Sequence, residues 1–176
     1  LPLPVTPCSS MVWKLVAARM VLTADCWAAI NRGISGVGAG DAAADSLHRD
    51  ARHRPRLLHG DTRWSHSHAR LLVAYTPRGR VGVDIESRVR GTDPLRIARR
   101  YFAPEETAAL AALDEALRHD AFLRLWCAKE AVLKAHGGGI AFGLHKAVFD
   151  VGGEGLRMLR CDPALGQVGD WSLHML

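Results

Sequence analysis

Several signatures are absent from this chain of 176 residues, and each absence narrows the range of functions. No run reaches the roughly 18 uninterrupted apolar residues of a membrane helix. The four cysteines show no C-x-x-C spacing, so neither a zinc framework nor a disulfide scaffold is predicted. Aromatic residues make up only 6% of the chain, which argues against a protein that stacks single-stranded bases on aromatic rings.

The motifs of two common enzyme classes are also missing. The glycine-rich segment at 33–40 does not continue as G-x-G-x-x-G, because Asp41 stands where the third glycine would be, and no G-K-[ST] follows. Ser65 and His66 are adjacent, but no G-x-S-x-G surrounds a serine. The sequence therefore predicts neither a nucleotide-binding loop of these types nor a serine hydrolase.

The composition is that of a soluble globular protein with a basic surface. Hydrophobic residues make up 48%, and the formal net charge is +5 with a pI near 9.4. The length suits one domain or two small lobes. A basic surface favours an anionic partner without choosing among nucleic acid, membrane, phosphorylated cofactor and acidic protein. Scattered cysteines and the lack of a clear signal peptide predict a cytoplasmic location.

The segment 81–86 is predicted to be a short strand on which the candidate site is built. Alternation along a strand puts its apolar residues on one face and Gly82, Asp84 and Glu86 on the other. Two carboxylates beside a glycine that leaves room are a plausible seat for Mg²⁺, which prefers oxygen ligands. A solvated acidic face explains the same pattern equally well. The preceding apolar run, 71–75, is predicted to pair with this strand as an antiparallel hairpin.

Three helices are predicted after this strand. Asp93 caps the first, and Pro104 begins the second, whose core stripe is predicted to include Leu110, Leu113 and Leu117. Asp120 is expected to cap the third, which ends at Gly137. Short strands are expected after it, at 140–142, 147–149, 156–159 and 171–176.

The third helix carries Trp126, Glu130 and Lys134 four residues apart, on one face. An ordinary surface ion pair between Glu130 and Lys134 would stabilise such a helix by about 0.2–0.5 kcal/mol. This helix is apolar around most of its circumference, however, and a buried carboxylate needs a cation or hydrogen-bond donors. Together with Asp84 and Glu86, these residues suit a Mg²⁺ site with a lysine beside it, as in phosphoryl chemistry.

These segments resemble the paired signatures of the 4′-phosphopantetheinyl transferases. Gly82-Val83-Asp84-Ile85-Glu86 is similar to that family's G-[IV]-D-[IV]-E, and the segment from Trp126 to Lys134 is similar to its W-x-x-K-E-[AS]-x-x-K. Segment 100–106 resembles R-[FY]-F-x-x-x-E, and the segments at 53–57 and 64–67 resemble two upstream motifs. The residues of the helix motif resemble those of the Sfp-type, monomeric branch.

The resemblance implies an α+β fold of two pseudo-symmetric lobes, each a small antiparallel sheet packed on a long helix. An N-terminal lobe is expected at 1–75, shortened relative to the family, and a C-terminal lobe with the metal site at 76–176. The chain stops within an apolar stretch, so the last strands are expected to be truncated.

The resemblance also implies an activity and a role for each matched residue. The activity is Mg²⁺-dependent transfer of 4′-phosphopantetheine from coenzyme A to a serine of an apo acyl or peptidyl carrier protein, with release of adenosine 3′,5′-bisphosphate. Asp84, Glu86 and Glu130 would hold Mg²⁺, or Mn²⁺ in its place, and Asp84 would thereby also contact the cofactor. Lys134 would neutralise the pyrophosphate and Glu130 would act as base. Arg54, Ser65 and His66 would bind coenzyme A.

Two alternatives remain open. A Mg²⁺-dependent nuclease is disfavoured because the segment 84–87 lacks the lysine that such enzymes carry on the same strand. A non-catalytic basic binding module is disfavoured by the intact set of three carboxylates. We expect neither a nucleic-acid nor a membrane partner.

Overall fold

The computed structural model describes residues 13–15, 48–49, 55–56, 61–67, 70–76, 79–87, 93–152 and 155–175. Three helices lie in these ranges: α1 (Pro94–Tyr101), α2 (Pro104–Ala112) and α3 (Glu115–His136). Within the described part of the chain, no helix combines the length and the apolar character that crossing a membrane requires.

Local sequence sets where the helices begin and end. The Asp93 side chain accepts hydrogen bonds from the backbone N–H groups of Leu95 and Arg96, so it caps α1 as predicted. Pro104 stands at the first position of α2. Gly137 ends α3 in the left-handed conformation, with φ of 88°, a backbone state that glycine adopts without steric cost.

The structure corrects three predictions in this region. Helix α3 begins after Asp114, so Asp120 lies inside it and does not cap it. The predicted stripe of leucines is divided, because Leu110 is buried in α2 while Leu117 is 60% exposed on α3. Segment Ile140–Phe142 forms a 3-10 helix where a strand was expected, held between glycines with positive φ.

Nine short strands occur in the described ranges. They are β1 (Trp13–Leu15), β2 (His48–Arg49), β3 (Pro55–Arg56), β4 (Asp61–Ser67), β5 (Arg70–Thr76), β6 (Arg80–Gly82), β7 (Ala147–Phe149), β8 (Met158–Cys161) and β9 (Trp171–Ser172). Antiparallel pairs form between β2 and β3, β4 and β5, and β7 and β8. A parallel sheet has the order β6-β1-β9.

The predicted hairpin between segments 71–75 and 81–86 was therefore wrong. Strand β5 pairs with β4, while β6 pairs in parallel with β1. Both choices bury the same apolar faces, because pairing a strand on either side leaves its inward and outward residues unchanged. The predicted strand was too long, because β6 ends at Gly82, and Asp84 and Glu86 lie beyond it. Its alternating burial was predicted correctly, since Val81 and Val83 lie with Leu72 and Ala74 in a small core.

The larger core surrounds α3. Its buried members come from all three helices, from β7 and β8 and from the C-terminal segment, and include Phe102, Leu110, Phe122, Leu133, Phe149 and Trp171. The mixture of helices and small antiparallel sheets confirms the predicted α+β class. The division into lobes at residues 75 and 76 stays a prediction.

Candidate active site

Gly82 allows strand β6 to approach the backbone of α3. A Cβ atom on Gly82 would lie only 1.8 Å from the carbonyl oxygen of Ala131, a distance that no side chain tolerates. The space beside this glycine therefore accommodates the helix, whereas the sequence analysis reserved it for a cation. The close approach carries Asp84, two residues further along the same face, over the side chains of α3.

Asp84, Ser65 and Lys134 form a hydrogen-bonded group, here called the polar cluster. The Nζ atom of Lys134 lies 2.5 Å from Oδ1 of Asp84 and 3.0 Å from Oγ of Ser65. Ser65 donates to the same Asp84 oxygen at 2.8 Å. Three residues predicted for the site, from β4, from the segment after β6 and from α3, thus meet at one point.

The second carboxylate oxygen of Asp84 has no hydrogen-bond partner among the described residues, although it is buried. The residue as a whole is 5% exposed. A buried acceptor without a partner costs about 1–3 kcal/mol, and a carboxylate oxygen is a preferred ligand of hard divalent cations. This atom therefore fits a cation or a donor from a bound ligand.

Glu130 is the second buried carboxylate of the site, at 8% exposed. Burial raises its pKa above the ordinary value, and the charges of Asp84 and Glu86 raise it further, while Lys134 acts in the opposite direction. Its carboxyl group thus holds a proton more tightly than an exposed glutamate does.

Glu86 is exposed, in contrast to its two acidic neighbours. Desolvation by the surrounding protein, followed by the charge of Asp84, raises its pKa, and Lys134 and a hydrogen bond from Trp126 oppose the rise. Each of Glu86 and Glu130 therefore lies within electrostatic reach of Asp84. The accumulated negative charge exceeds what Lys134 alone neutralises.

The three carboxylates do not converge as they stand. Among the residues that the structure describes, no group of three or more histidine, cysteine, aspartate or glutamate side chains is arranged so that it could hold a metal ion. A shared cation requires Glu86 and Glu130 to turn toward the unpartnered oxygen of Asp84. The donor set of carboxylate oxygens nevertheless suits Mg²⁺.

Cys127 also belongs to this region, which the sequence analysis missed. Burial raises the pKa of its thiol far above the ordinary value, and the negative charges of Asp84 and Glu86 add to the rise. The thiol stays protonated at neutral pH and contributes no further charge. Its position three residues before Glu130 on α3 was the available signal.

The structure treats the other two predicted cofactor contacts differently. His66 follows Ser65 in β4 and is exposed, so alternation directs its side chain to the face opposite Ser65. Arg54 lies outside the described residues.

A buried ion pair that was not predicted joins α3 to α2. Lys129 is 0% exposed; its Nζ atom lies 2.7 Å from Oε2 of Glu106 and donates to the carbonyls of Leu144 at 3.0 Å and Ala147 at 2.5 Å. The other oxygen of Glu106 accepts from the N–H of Phe149. The sequence analysis did not pair Lys129 with Glu106, because residues 23 apart give no local pattern.

Comparison with known proteins identifies the family of this arrangement. Residues 80–172 match the family model of the 4′-phosphopantetheinyl transferase superfamily. A putative 4′-phosphopantetheinyl transferase, slr0495 of Synechocystis, is 34% identical over 125 residues, which are 68% of this chain and 50% of that protein.

Two further relatives are similar over shorter stretches. The 4′-phosphopantetheinyl transferase HetI of Nostoc is 38% identical over 77 residues, 44% of this chain and 32% of its own. A 4′-phosphopantetheinyl transferase of Bacillus subtilis is 36% identical over 80 residues, 46% and 34% of the two chains. These matches cover half or less of each relative's own length.

Proposed function

Because this chain belongs to the 4′-phosphopantetheinyl transferase superfamily, we propose that it transfers 4′-phosphopantetheine from coenzyme A to a serine of an apo acyl or peptidyl carrier protein. The observation that carries the proposal is the polar cluster with the unpartnered oxygen of Asp84. It joins a phosphate-neutralising lysine to a carboxylate that suits a hard cation.

The covalent step is a substitution at the β-phosphorus of coenzyme A. The serine oxygen of the carrier forms a bond to that phosphorus, and the bond to the bridging pyrophosphate oxygen breaks. Adenosine 3′,5′-bisphosphate leaves, and the serine proton passes to Glu130, directly or through a water. Glu130 is proposed for this role because its carboxyl group is buried and lies within electrostatic reach of Asp84 and Lys134.

Asp84, Glu86 and Glu130 are the residues that would hold Mg²⁺. The ion would stabilise negative charge developing on the phosphate oxygens. Lys134 Nζ, which lies within hydrogen-bond distance of Asp84 and Ser65, would contact a pyrophosphate oxygen. Ser65 is proposed to bind the phosphates of coenzyme A within the polar cluster, His66 to bind them from its exposed position on β4, and Arg54 to bind the nucleotide end.

An acidic carrier protein suits the charge of this chain. Helix α1 has three exposed arginines, Arg96, Arg99 and Arg100, and the net charge is +5. Complementary charge increases the association rate and the specificity for a partner more than it increases the affinity. We further propose a monomeric, cytoplasmic enzyme, which rests on the composition and on the resemblance to the Sfp-type branch.

Mass spectrometry of the carrier tests the proposal. The protein is incubated with coenzyme A, Mg²⁺ and an apo carrier protein, and we expect the carrier to gain one phosphopantetheinyl group. A carrier whose acceptor serine is alanine is the matched control and should gain nothing, and chelation of Mg²⁺ should stop the reaction. No gain on several different apo carriers with the metal present would overturn the proposal.

A further inference from the structure

Asp61 and Arg63 form a buried ion pair at the start of β4. The Nη1 atom of Arg63 lies 2.7 Å from Oδ1 of Asp61, and the two residues are 5% and 1% exposed. Neither belongs to the motifs quoted above for the family, and no hydrogen bond described above joins either of them to a side chain of the polar cluster. The pair instead contacts the backbone of the elements that carry the cluster.

The contacts of the pair reach three elements. Arg63 donates from Nε to the carbonyl oxygen of Lys134 at 3.1 Å, across 71 residues of sequence. The other oxygen of Asp61 accepts from the backbone N–H of Val81 at 3.0 Å. Strand β4 itself carries Ser65, two residues beyond Arg63.

The carbonyl of Lys134 lies in the last turn of α3, where carbonyl oxygens have no partner within the helix. A cation there also opposes the negative end of the helix dipole. An arginine suits the position better than a lysine, because its planar fork holds the Asp61 carboxylate and the carbonyl at the same time.

We propose that the Asp61–Arg63 pair positions Lys134 for the reaction, an inference that rests on the proposed function. The pair links β4, β6 and the end of α3, and each of these leads to one member of the polar cluster: Ser65, Asp84 or Lys134. Fixing the backbone of Lys134 fixes the origin of the side chain that contacts the phosphates. Asp61 and Arg63 are positioning residues and do not contact the substrate.

The variant that tests this is Asp61→Asn with Arg63→Gln, which removes both charges together and leaves no buried unpaired ion. The single variant Arg63→Gln is made beside it. The matched control is Arg80→Gln, because Arg80 also donates to a carbonyl at the end of α3, that of His136 at 3.0 Å, but not to Lys134.

The first readout does not depend on activity. The chain has four lysines, at 14, 129, 134 and 146, so lysine labelled with ¹³C at the carbonyl gives four NMR signals. Loss of the Lys134 signal in Lys134→Arg grown with the same label assigns it. We expect the Lys134 signal to shift in both Asp61–Arg63 variants and to stay in place in Arg80→Gln. An unmoved Lys134 signal in the folded double variant overturns the proposal, whether or not the protein transfers phosphopantetheine.

The second readout separates positioning from general stability. Loss of the pair should lower kcat for transfer by about tenfold or more, since a small misplacement of a reacting group has effects of this order. When the Asp61–Arg63 variant is combined with Lys134→Met, kcat should fall by less than about twofold relative to Lys134→Met alone, because the lysine that the pair positions is then absent. An equal fall in both backgrounds would mean a merely structural role and would overturn the proposal. Absence of transfer by the unmodified protein would count against the proposed function, and the NMR result alone would then decide the role of the pair.

Discussion

Lys134 and Asp84 are 50 residues apart in sequence, and their side chains meet at 2.5 Å. The carboxylate is almost fully buried while the lysine side chain is 28% exposed. The lysine thus closes one side of a buried anionic site and reaches solvent on the other.

Replacement of Lys134 by methionine should reduce both activity and stability. Asp84 would lose its counter-charge inside the protein, and we expect a fall of about 1–3 kcal/mol in the free energy of unfolding, less than for a fully buried pair because Lys134 is partly exposed. Transfer should fall by about a hundredfold or more. Urea unfolding and the carrier mass assay measure the two effects. Lys134→Arg, which keeps the charge, should lose less stability than Lys134→Met; an equal loss would contradict the role of the charge.

Glu130→Gln should abolish transfer and stabilise the metal-free protein at neutral pH. The pKa of Glu130 is raised above its ordinary value of 4.5 in the folded protein. As pH rises above 4.5 the unfolded chain loses this proton before the folded protein does, so folding loses stability until the folded pKa is passed. The stability difference between variant and wild type should therefore appear above about pH 4.5 and vanish below it. Thermal unfolding between pH 4 and 8 without metal tests the sign, and a variant less stable than wild type at pH 7 would contradict it.

Gly82→Ala should separate β6 from α3. The new Cβ would overlap the Ala131 carbonyl, and overpacking against rigid backbone costs about 1–3 kcal/mol or more. Because Asp84 lies two residues after Gly82, just beyond the end of β6, transfer should fall more steeply than stability. Gly152→Ala is the control, since a Cβ there meets nothing within 4 Å. If both variants unfold at the wild-type urea concentration, the close approach has no energetic consequence.

Lys129→Met should be the most destabilising of these changes. It leaves the carboxyl group of Glu106, which is 1% exposed, without its ion-pair partner, and breaking a buried pair by removal of one partner costs about 3–5 kcal/mol. Adding Glu106→Gln should recover part of the loss, because the neutral amide oxygen can still accept from Phe149. Urea unfolding of the two single variants and the double variant gives the coupling energy. Simple addition of the two single losses would contradict a direct pair.

Charge reversal on α1 tests the carrier-binding proposal. Arg96→Glu with Arg99→Glu should raise KM for an acidic carrier protein by about tenfold while leaving KM for coenzyme A unchanged, and the effect should shrink with added salt. Arg157→Glu with Arg160→Glu is the control, because it changes the net charge by the same amount at two side chains that are 73% and 61% exposed. Equal effects of α1 and control variants would mean that net charge alone matters.

Local chemistry allowed much of the second half of the chain to be predicted. Capping by Asp93, the start of α2 at Pro104 and the end of α3 at Gly137 depend on a few neighbouring residues, and each was predicted from them. The predicted start of α3 was wrong. Asp120 is of a residue type that often caps helices, but the helix begins earlier, after Asp114, so that Asp120 lies inside it. The first turn of α3 is held by Arg118, which donates hydrogen bonds to the carbonyl oxygens of Leu110 and Leu113 at the end of α2, and such a contact between two helices leaves no local pattern in the sequence.

The partner of β5 could not be predicted for a different reason. Alternation specifies which face of a strand is buried but not which neighbour supplies its hydrogen bonds. The adjacent segment 81–86 was predicted to pair with β5, whereas the structure pairs β5 with β4. The choice between two neighbours depends on packing across the whole sheet.

By itself the sequence determined the family of this protein and the identity of Asp84, Glu130 and Lys134 as residues of one candidate site, because motif residues retain their type and order in the chain. Only the tertiary structure decided which atoms meet: that Lys134 lies on Asp84 and Ser65, that Lys129 turns away to Glu106, and that Arg63 reaches the carbonyl of Lys134. The physical reason is that contacts between residues tens of positions apart depend on how closely α3 approaches β6, and that distance is set by the missing side chain of Gly82.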